Sequence, residues 1–497
     1  MLALWVPAAR PSAKPPDTDG WAPRDVTAIS KMLRKGGMSQ QIADVALIED
    51  LVQHIGEGAV STDPTVLQSH SHDFGKIVDH QLPLAVVFAE RVEDVQAALR
   101  LASAAGVRVV PRGAGTGVSG GAHAVARCIV LSLERMNRIL EIRAEDEVAV
   151  VQPGVINAVL NRAVAKHGLM YAPDPASYKE STIGGNVATN AGGLRCAKYG
   201  VTTDSVLGLE VVLADGTLIS TGRNTFKGVA GYDLTSLLVG SEGTLAVVVS
   251  VTVRLRYLSE RTCSIAAVFT DVVQAAAGVV AIARVRVQPA ILELLDIGTM
   301  RVLDAAYGSD LSARGGALLL VRTDGHGAEI EAGIVRSALE GLGAQVSEPD
   351  DEEAVRLIEM RRASRGDGQD DEYRVGEDIA VPRSAMVDYM GTLDRIAASN
   401  NVMVRIVAHA GDGNLHPTFW VDPDDGTEGV ARLDAALDES IRAALEVGGT
   451  ITGEHGVGTV KREWLAWEQS EEVLELQRKI KAVFDPQGIL NPGKAIV

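Results

Sequence analysis

Two short stretches near the end of the chain carry the side chains best suited to chemistry. The first is HAGDGNLH (409–416), with His409 and His416. The second is GEHG (453–456), with Glu454 and His455. On one straight strand, imidazoles seven residues apart point to opposite faces. A helix would align them, but Gly-Asp-Gly at 411–413 disfavours a helix there. The glycines therefore let the chain turn and bring both rings to one point. Glu454 and His455 lie between glycines in a loop, and adjacent side chains diverge, so the two have different roles. Two imidazoles and a carboxylate suit a divalent metal with an open coordination position. Zinc, manganese and iron all accept these ligand types.

Glycine is in excess elsewhere too: 51 of 497 residues, with aromatics at only 4%, against a usual glycine share of about 7%. The loop GAGTGVSGG (113–121) follows the strand pattern VRVVPR, and Gly115, Gly117 and Gly120 spell G-x-G-x-x-G. In a dinucleotide fold that motif opens a helix. Here the strand-like CIVLSL comes next, so a Rossmann reading fails. The free amides of the loop still suit a pyrophosphate. APDPASYKESTIGGNVATNAGG (172–193) has two proline turns and two glycine pairs with small polar residues between them. It reads as a loop wrapped around an extended polar ligand.

The positioning elements follow from periodicity. PLAVVFA (83–89) and VAVVQPG (148–154) read as strands. Residues 92–106 read as a helix closed by Gly106, and INAVLNRAVAKHG as another. A hairpin turns at Asp215-Gly216. After 256, strands at SIAAVF, 290–296 and 317–325 alternate with helices, which reads as an antiparallel sheet with helices on one face. The stretch 351–378, charged and irregular in its second part, reads as either a solvated loop or a substrate-facing segment, and taken alone the solvated loop is favoured. Residues 471–484 read as a core helix, stopped by Asp485-Pro486.

Composition narrows the function. Net charge is −18, which argues against nucleic acid. The three cysteines Cys128, Cys196 and Cys263 are scattered, which excludes a disulfide scaffold and any four-cysteine cluster. No run of 18 apolar residues suggests a transmembrane helix. Residues 1–40, proline-rich at first, are expected to be a disordered leader, with an amphipathic helix after Met38. The expected location is the cytoplasm, with peripheral membrane attachment compatible.

RGAGTGVSGG, PDPASYKESTIGGNVATNAGG and GYDLTSLLVGSEGTLAVV, together with the two histidine motifs, resemble the vanillyl-alcohol oxidase / p-cresol methylhydroxylase superfamily of FAD-linked oxidases. The nearer likeness is to its branch of glycolate oxidase flavoprotein subunits, D-lactate dehydrogenases and D-2-hydroxyglutarate dehydrogenases. The resemblance covers about residues 50–497. It implies an α+β fold: a two-subdomain FAD-binding domain of p-cresol methylhydroxylase type (41–255), an α/β cap domain with an antiparallel sheet carrying metal ligands (256–450), and a C-terminal helical segment (451–497) returning to the FAD site.

The resemblance also implies site residues. Arg112, Gly113, Ala114, Gly115, Thr116, Gly117, Ser119 and Gly120 would hold the pyrophosphate. Pro173, Asp174, Ser177, Thr182, Gly185, Asn186, Thr189 and Asn190 would line the isoalloxazine and ribityl side. Glu242 and Gly243 would meet the adenosine end, and Asn491 of NPGK would close over the flavin. His409, His416 and Glu454 would be metal ligands and His455 the general base, with Asn414 near flavin or substrate. Arg361 would bind the substrate carboxylate, with Arg362, Arg383 and Lys461 as rivals. The first glycine loop contains no histidine, and His123 just beyond it reads as structural, so FAD is expected to be non-covalent.

The function implied is FAD-dependent dehydrogenation of a small 2-hydroxy acid. Electrons would pass to a separate acceptor: a quinone, an electron-transfer flavoprotein, a cytochrome or an iron–sulfur subunit. A homodimer is the oligomer considered. The alternatives are a non-catalytic flavin-binding subunit and a metal-dependent hydrolase, the latter leaving the glycine loops without a purpose.

Overall fold

The computed structural model describes residues 38–75, 80–348, 352–363 and 373–496. Most of the expected leader, up to residue 37, lies outside the described residues. The helix expected after Met38 spans Met38–Ile55. Residues Leu47–Val497 form one compact unit.

The first half of the large unit holds two main sheets, beside a short ladder pairing Leu169–Met170 with Arg256–Tyr257. In one, Ala85–Phe88 and Arg108–Arg112 both run parallel to Cys128–Ser132. Their continuous apolar sequence reflects cover on both faces: Ala85, Val87 and Val109 enter one core cluster, Val86, Val110 and Val130 another. The crossover helix Val92–Ala105 starts where the Asp94 carboxylate accepts the Arg91 N–H and ends on Gly106 at φ 58°, a left-handed cap that glycine adopts without strain. The glycine loop then joins Arg108–Arg112 to Cys128–Ser132 without opening a helix, as a fold other than Rossmann requires. The second sheet is antiparallel, in the order Ile139–Arg143, Val148–Val151, Val247–Arg254, Val206–Val212, Leu218–Gly222.

The stretch 172–193 departs from the loop reading. A short helix, Ile183–Thr189, lies inside it, with the Thr182 hydroxyl accepting the Gly185 N–H. Burial of Ile183 and Val187 in the neighbouring core outweighs the poor helix propensity of Gly184 and Gly185.

The second half is built on one large sheet whose central strands are Thr262–Phe269, Ala317–Asp324, Ile291–Asp296, Met403–His409 and Asn414–Trp420, all antiparallel. Helices were expected on one face, but they cover both. Val272–Arg284, Ala328–Glu340, Met386–Asn400 and Gly426–Glu446 share a core with Leu319 and Val321. Ile297–Tyr307 and Glu352–Ala363 pack with Leu318 and Leu320 on the other side. The unbroken apolar run ALLLV at 317–321 is the sequence trace of this two-sided cover.

The charged stretch after 351 also differs from the solvated reading. Positions 364–372 lie outside the described residues, but Glu377 and Asp378 are buried. The C-terminal helix Glu471–Phe484 is not core: only Leu474 is fully buried, while Val473, Leu476 and Val483 face outward. One line of side chains, with Ile480 and Phe484, seats it on the antiparallel sheet's core.

Leu319 is fully buried between cap sheet and helices. Leu319→Ala is expected to cost about 2–5 kcal/mol by leaving a cavity, read as a lowered midpoint in chemical denaturation. A shift near zero would contradict the two-sided packing.

Candidate active site

A cavity of about 420 Å³ runs between the glycine loops of the first half and the cap sheet. Of the residues expected at the cofactor, Arg112 to Gly117, Ser119, Ser177, Thr182, Gly185, Asn186, Thr189, Glu242 and Gly243 line it. Gly120, Pro173, Asp174, Asn190 and Asn491 do not, and each of the last four has another role. The Pro173 carbonyl accepts from Asn157. Asp174 pairs with Arg195 at 2.9 Å and Arg362 at 3.3 Å. Asn190 caps the short helix and accepts the Thr203 N–H. Asn491 donates its amide to the carbonyls of Gly121 and Glu242, tying the C-terminal segment to both glycine loops.

The histidine motifs meet at the cap end of this cavity. Met403–His409 and Asn414–Trp420 form a hairpin with GDG at its turn, and His416 pairs across to Val407. Gly413, at φ 89°, is the left-handed residue that closes the turn. The turn places the two rings 5.2 Å apart and nearly perpendicular. The ring nitrogens Nε2 of His409 and His416 lie 3.4 and 3.5 Å from the same Glu454 oxygen, Oε1. His455 stacks on His416 at 5.1 Å, with its own Nε2 3.9 Å from that oxygen. Glu454 in turn packs against Gly192 of the TNAGG stretch, where any Cβ would collide with the carboxylate.

Two carboxylates that sequence patterns do not single out organise the cluster. Glu293, fully buried on Ile291–Asp296, accepts from His409 Nδ1 at 2.7 Å and lies 2.9 Å from Arg361 Nε. A charge inside the apolar run AILELLD was the available signal. Asp378, also fully buried, accepts the backbone N–H groups of Gly453, Glu454 and His455, the Thr452 hydroxyl and the Asn414 amide. That engagement takes Asn414 away from the cavity wall. Asp73, a third addition, lines the opposite end and accepts the Gly75 and Ala122 N–H groups.

Electrostatics follow this wiring. Burial disfavours charge on His409, but Glu293 and Glu454 on either side raise it well above the usual imidazole value. Burial likewise opposes charge on Glu454, but His409 and His416 hold its carboxyl well below the ordinary range. The cluster therefore favours a positive charge between these ligand atoms. Burial lowers the His455 ring, with Asp378 opposing. Asp378 itself stays ionised despite burial, held well below the carboxylate range by His455, Lys461 and His416.

Two sets of three side chains bring ligand atoms within 4.8 Å of one another: His409, His416 and Glu454, and Asp378, His416 and His455. The first could hold a divalent ion with Glu293 orienting one imidazole from behind, as metal-bound histidines require. In the second, Asp378 already accepts a full set of hydrogen bonds. Among the arginine rivals, Arg361 and Lys461 line the cavity, whereas Arg362 is paired with Asp174 and Arg383 is exposed. Lys461 donates to the carbonyls of Asp378 and Ile451, both at 2.8 Å. Arg374 and Arg405 line the cavity as well.

The chain matches two family descriptions: "FAD binding domain" over residues 83–222 and "FAD linked oxidases, C-terminal domain" over 258–495. The chain belongs to the FAD-linked oxidase family. It is an FAD-dependent oxidoreductase. It is 42% identical to the glycolate oxidase subunit GlcD of Bacillus subtilis, over 83% of this chain and 89% of that one. It is 37% identical to a D-lactate dehydrogenase of Archaeoglobus fulgidus, over 83% and 91%. Among solved structures, p-cresol methylhydroxylase superposes with a TM-score of 0.74 at 16% identity, covering 93% of this chain and 98% of that one, a likeness of fold.

Asp378→Asn is expected to cost about 3–5 kcal/mol, because one partner of a buried charge network is removed, and to release the 453–455 loop. Denaturant unfolding checks the first effect. A loss below about 1 kcal/mol would contradict the central place given to this carboxylate.

Proposed function

We propose that this oxidoreductase oxidises the CH–OH of a small D-configured 2-hydroxy acid to the 2-oxo acid. The observation that carries the reading is one cavity with glycine loops along one wall and, at its cap end, three imidazoles, Glu454 and the Glu293–Arg361 pair. The names of the relatives, a glycolate oxidase subunit and D-lactate dehydrogenases, support it.

The residues fit both groups the reaction needs. The glycine loops leave backbone amides along the cavity, and His409, His416 and Glu454 converge as nitrogen and oxygen donors for zinc, manganese or iron. Bound there, FAD supplies a hydride acceptor and the divalent ion supplies Lewis acidity. Arg361, anchored through Nε on Glu293, holds the substrate carboxylate and fixes the orientation of the carbon that loses hydride. His455, about a third of whose side chain is accessible, takes the hydroxyl proton as general base. Asp378 keeps the His455 backbone in place through its N–H. His123 does not line the cavity and lies 3.1 Å from Asp73, which supports non-covalent FAD.

The three cysteines are buried and free, so the electrons leave for a separate acceptor: a quinone, an electron-transfer flavoprotein, a cytochrome or an iron–sulfur subunit. The word subunit in the name of the Bacillus subtilis relative supports a larger assembly. Among the described residues, no helix is long and apolar enough to cross a membrane.

Anaerobic mixing of the FAD-loaded protein with D-lactate, glycolate and D-2-hydroxyglutarate is expected to bleach the flavin with at least one of them. Retained colour with all three, metal supplied, would sink the reading. His455→Ala is expected to slow that bleaching by about 10²–10⁴-fold while FAD stays bound. An unaltered rate would remove it as base. The base works deprotonated and its pKa is lowered, so in the wild type the rate is expected to hold level with falling pH to below about 6.5 before dropping. A fall that begins above about 7, beyond the ordinary imidazole value, would contradict this. Chelator treatment is expected to slow bleaching reversibly, with recovery on adding zinc or manganese.

A further inference from the structure

Outside the cavity, a second group of imidazoles gathers where three backbone segments meet. The Ala124 N–H donates to the Ser71 carbonyl at 2.8 Å, and the Gln81 N–H to the Ala124 carbonyl at 2.9 Å. A histidine stands beside each of these joined residues: His72, His123 and His80. The ring centres of His72 and His80 are 5.2 Å apart, and that of His123 lies 6.1 Å from His80 and 6.5 Å from His72. None of the three lines the cavity, whereas Asp73, which faces both His123 and the glycine loop, does.

The cluster holds an unmet requirement. His123 is 1% exposed, and neither of its ring nitrogens has a hydrogen-bond partner. Nδ1 is turned toward Gly120. Nε2 lies 3.1 Å from Asp73 Oδ1 without the alignment of a hydrogen bond. An imidazole buried with both nitrogens unpaired is costly, and such a group calls for a bound water or ion. Asp73 is buried as well, and its two oxygens accept one N–H each, from Gly75 and Ala122. Each oxygen therefore keeps a lone pair.

The spacing suits an ion. With bonds of about 2.0–2.1 Å in a tetrahedral zinc site, two ligand atoms stand about 3.4 Å apart and two imidazole centres about 5 Å. Asp73 Oδ1 with His123 Nε2, and His72 with His80, are already near those separations. The active-site set has similar ones, 3.4 Å from His409 Nε2 to Glu454 and 5.2 Å between its first two rings. The two ring separations to His123 are longer by about 1 Å, so an ion would draw in His72 and His80, which are only half-buried. The segments are pinned for this. Arg112 donates to the His72 carbonyl at 2.8 Å and Lys494 to the His123 carbonyl at 2.7 Å. The Ser71 hydroxyl meets His72 Nδ1 at 3.0 Å, which leaves Nε2 of that ring as the ligand atom. Metal-bound imidazoles are commonly held through the other nitrogen in this way.

We propose that His72, His80, His123 and Asp73 form a second divalent-cation site of the zinc class, separate from the active-site set. Three nitrogens and one carboxylate oxygen complete a tetrahedral shell, so the ion has no open position and takes no part in the oxidation. It braces the cofactor wall from outside. Asp73 holds the Ala122 N–H, and the Phe74 N–H donates to the Gly117 carbonyl. An ion there ties the segments carrying His72 and His80 to the far end of the 113–121 loop.

The test counts zinc by atomic emission in the full FAD-loaded chain, dialysed against zinc and then against metal-free buffer. His80→Ala is expected to hold one zinc per chain fewer than the wild type. A His416→Ala/Glu454→Gln variant, with the active-site set disabled, is expected to keep one zinc and to lose it when His80→Ala is added. Zinc is expected to raise the melting midpoint of that double variant and not of the triple one. The bound flavin spectrum confirms that each variant has folded. Where the active-site variant does not fold, the comparison of wild type with His80→Ala still decides. Equal zinc in wild type and His80→Ala, or no zinc in the folded double variant, would overturn the proposal. Neither result touches the 2-hydroxy-acid reading, which is judged by flavin bleaching alone.

Discussion

The arrangement of the site depends on one buried carboxylate. Asp378 accepts three consecutive backbone N–H groups from the GEHG loop, a threonine hydroxyl and an asparagine amide, and faces Lys461 and two imidazoles. A loop of glycines has little conformational preference of its own. Without a fixed anion to collect its amides it would not hold Glu454 and His455 at defined places. Burying that anion is unfavourable in isolation, and the surrounding donors and positive charge offset it. The hairpin that carries His409 and His416 answers to a second carboxylate, Glu293, in the same way.

The same loop joins the two halves of the cavity. Burial pushes Glu242, from the SEGT turn, up to about 7, and its two oxygens accept the N–H groups of Val457 and Gly458, each at 2.8 Å. Gly458 passes so close to the Ser119 carbonyl that a side chain has no room. The wall assigned to the cofactor and the loop carrying the candidate base are thus held to each other by backbone amides. The flavin and the proton acceptor would keep their spacing without a hinge between them.

Much of this was legible in the sequence where rare residues meet glycine. HAGDGNLH and GEHG announce themselves because histidines set among glycines have few structural uses. The glycine loop after VRVVPR runs into a strand rather than a helix, which excludes a Rossmann turn. Glu293 and Asp378 were not legible as parts of the site. An acidic residue in a sequence window is solvated by default, and only tertiary partners make its burial tolerable. The helix Ile183–Thr189 was hidden for a related reason: its two glycines speak against it, and the core into which Ile183 and Val187 fit is formed by strands distant in sequence. The C-terminal helix erred in the other direction. Its apolar residues promised a core helix, yet most of them face outward.

His409, His416 and Glu454 converge as donors that could hold a cation, and Asp378 holds the loop that brings Glu454 to them. Anomalous diffraction from crystals of the FAD-loaded protein grown with zinc or manganese separates this ligand set from its neighbour. One peak is expected within about 2.0–2.2 Å of His409 Nε2, His416 Nε2 and Glu454, with Asp378 outside the coordination shell. A peak bound instead by Asp378, His416 and His455 would contradict that assignment, because the same carboxylate cannot both ligate an ion and hold the loop's amides.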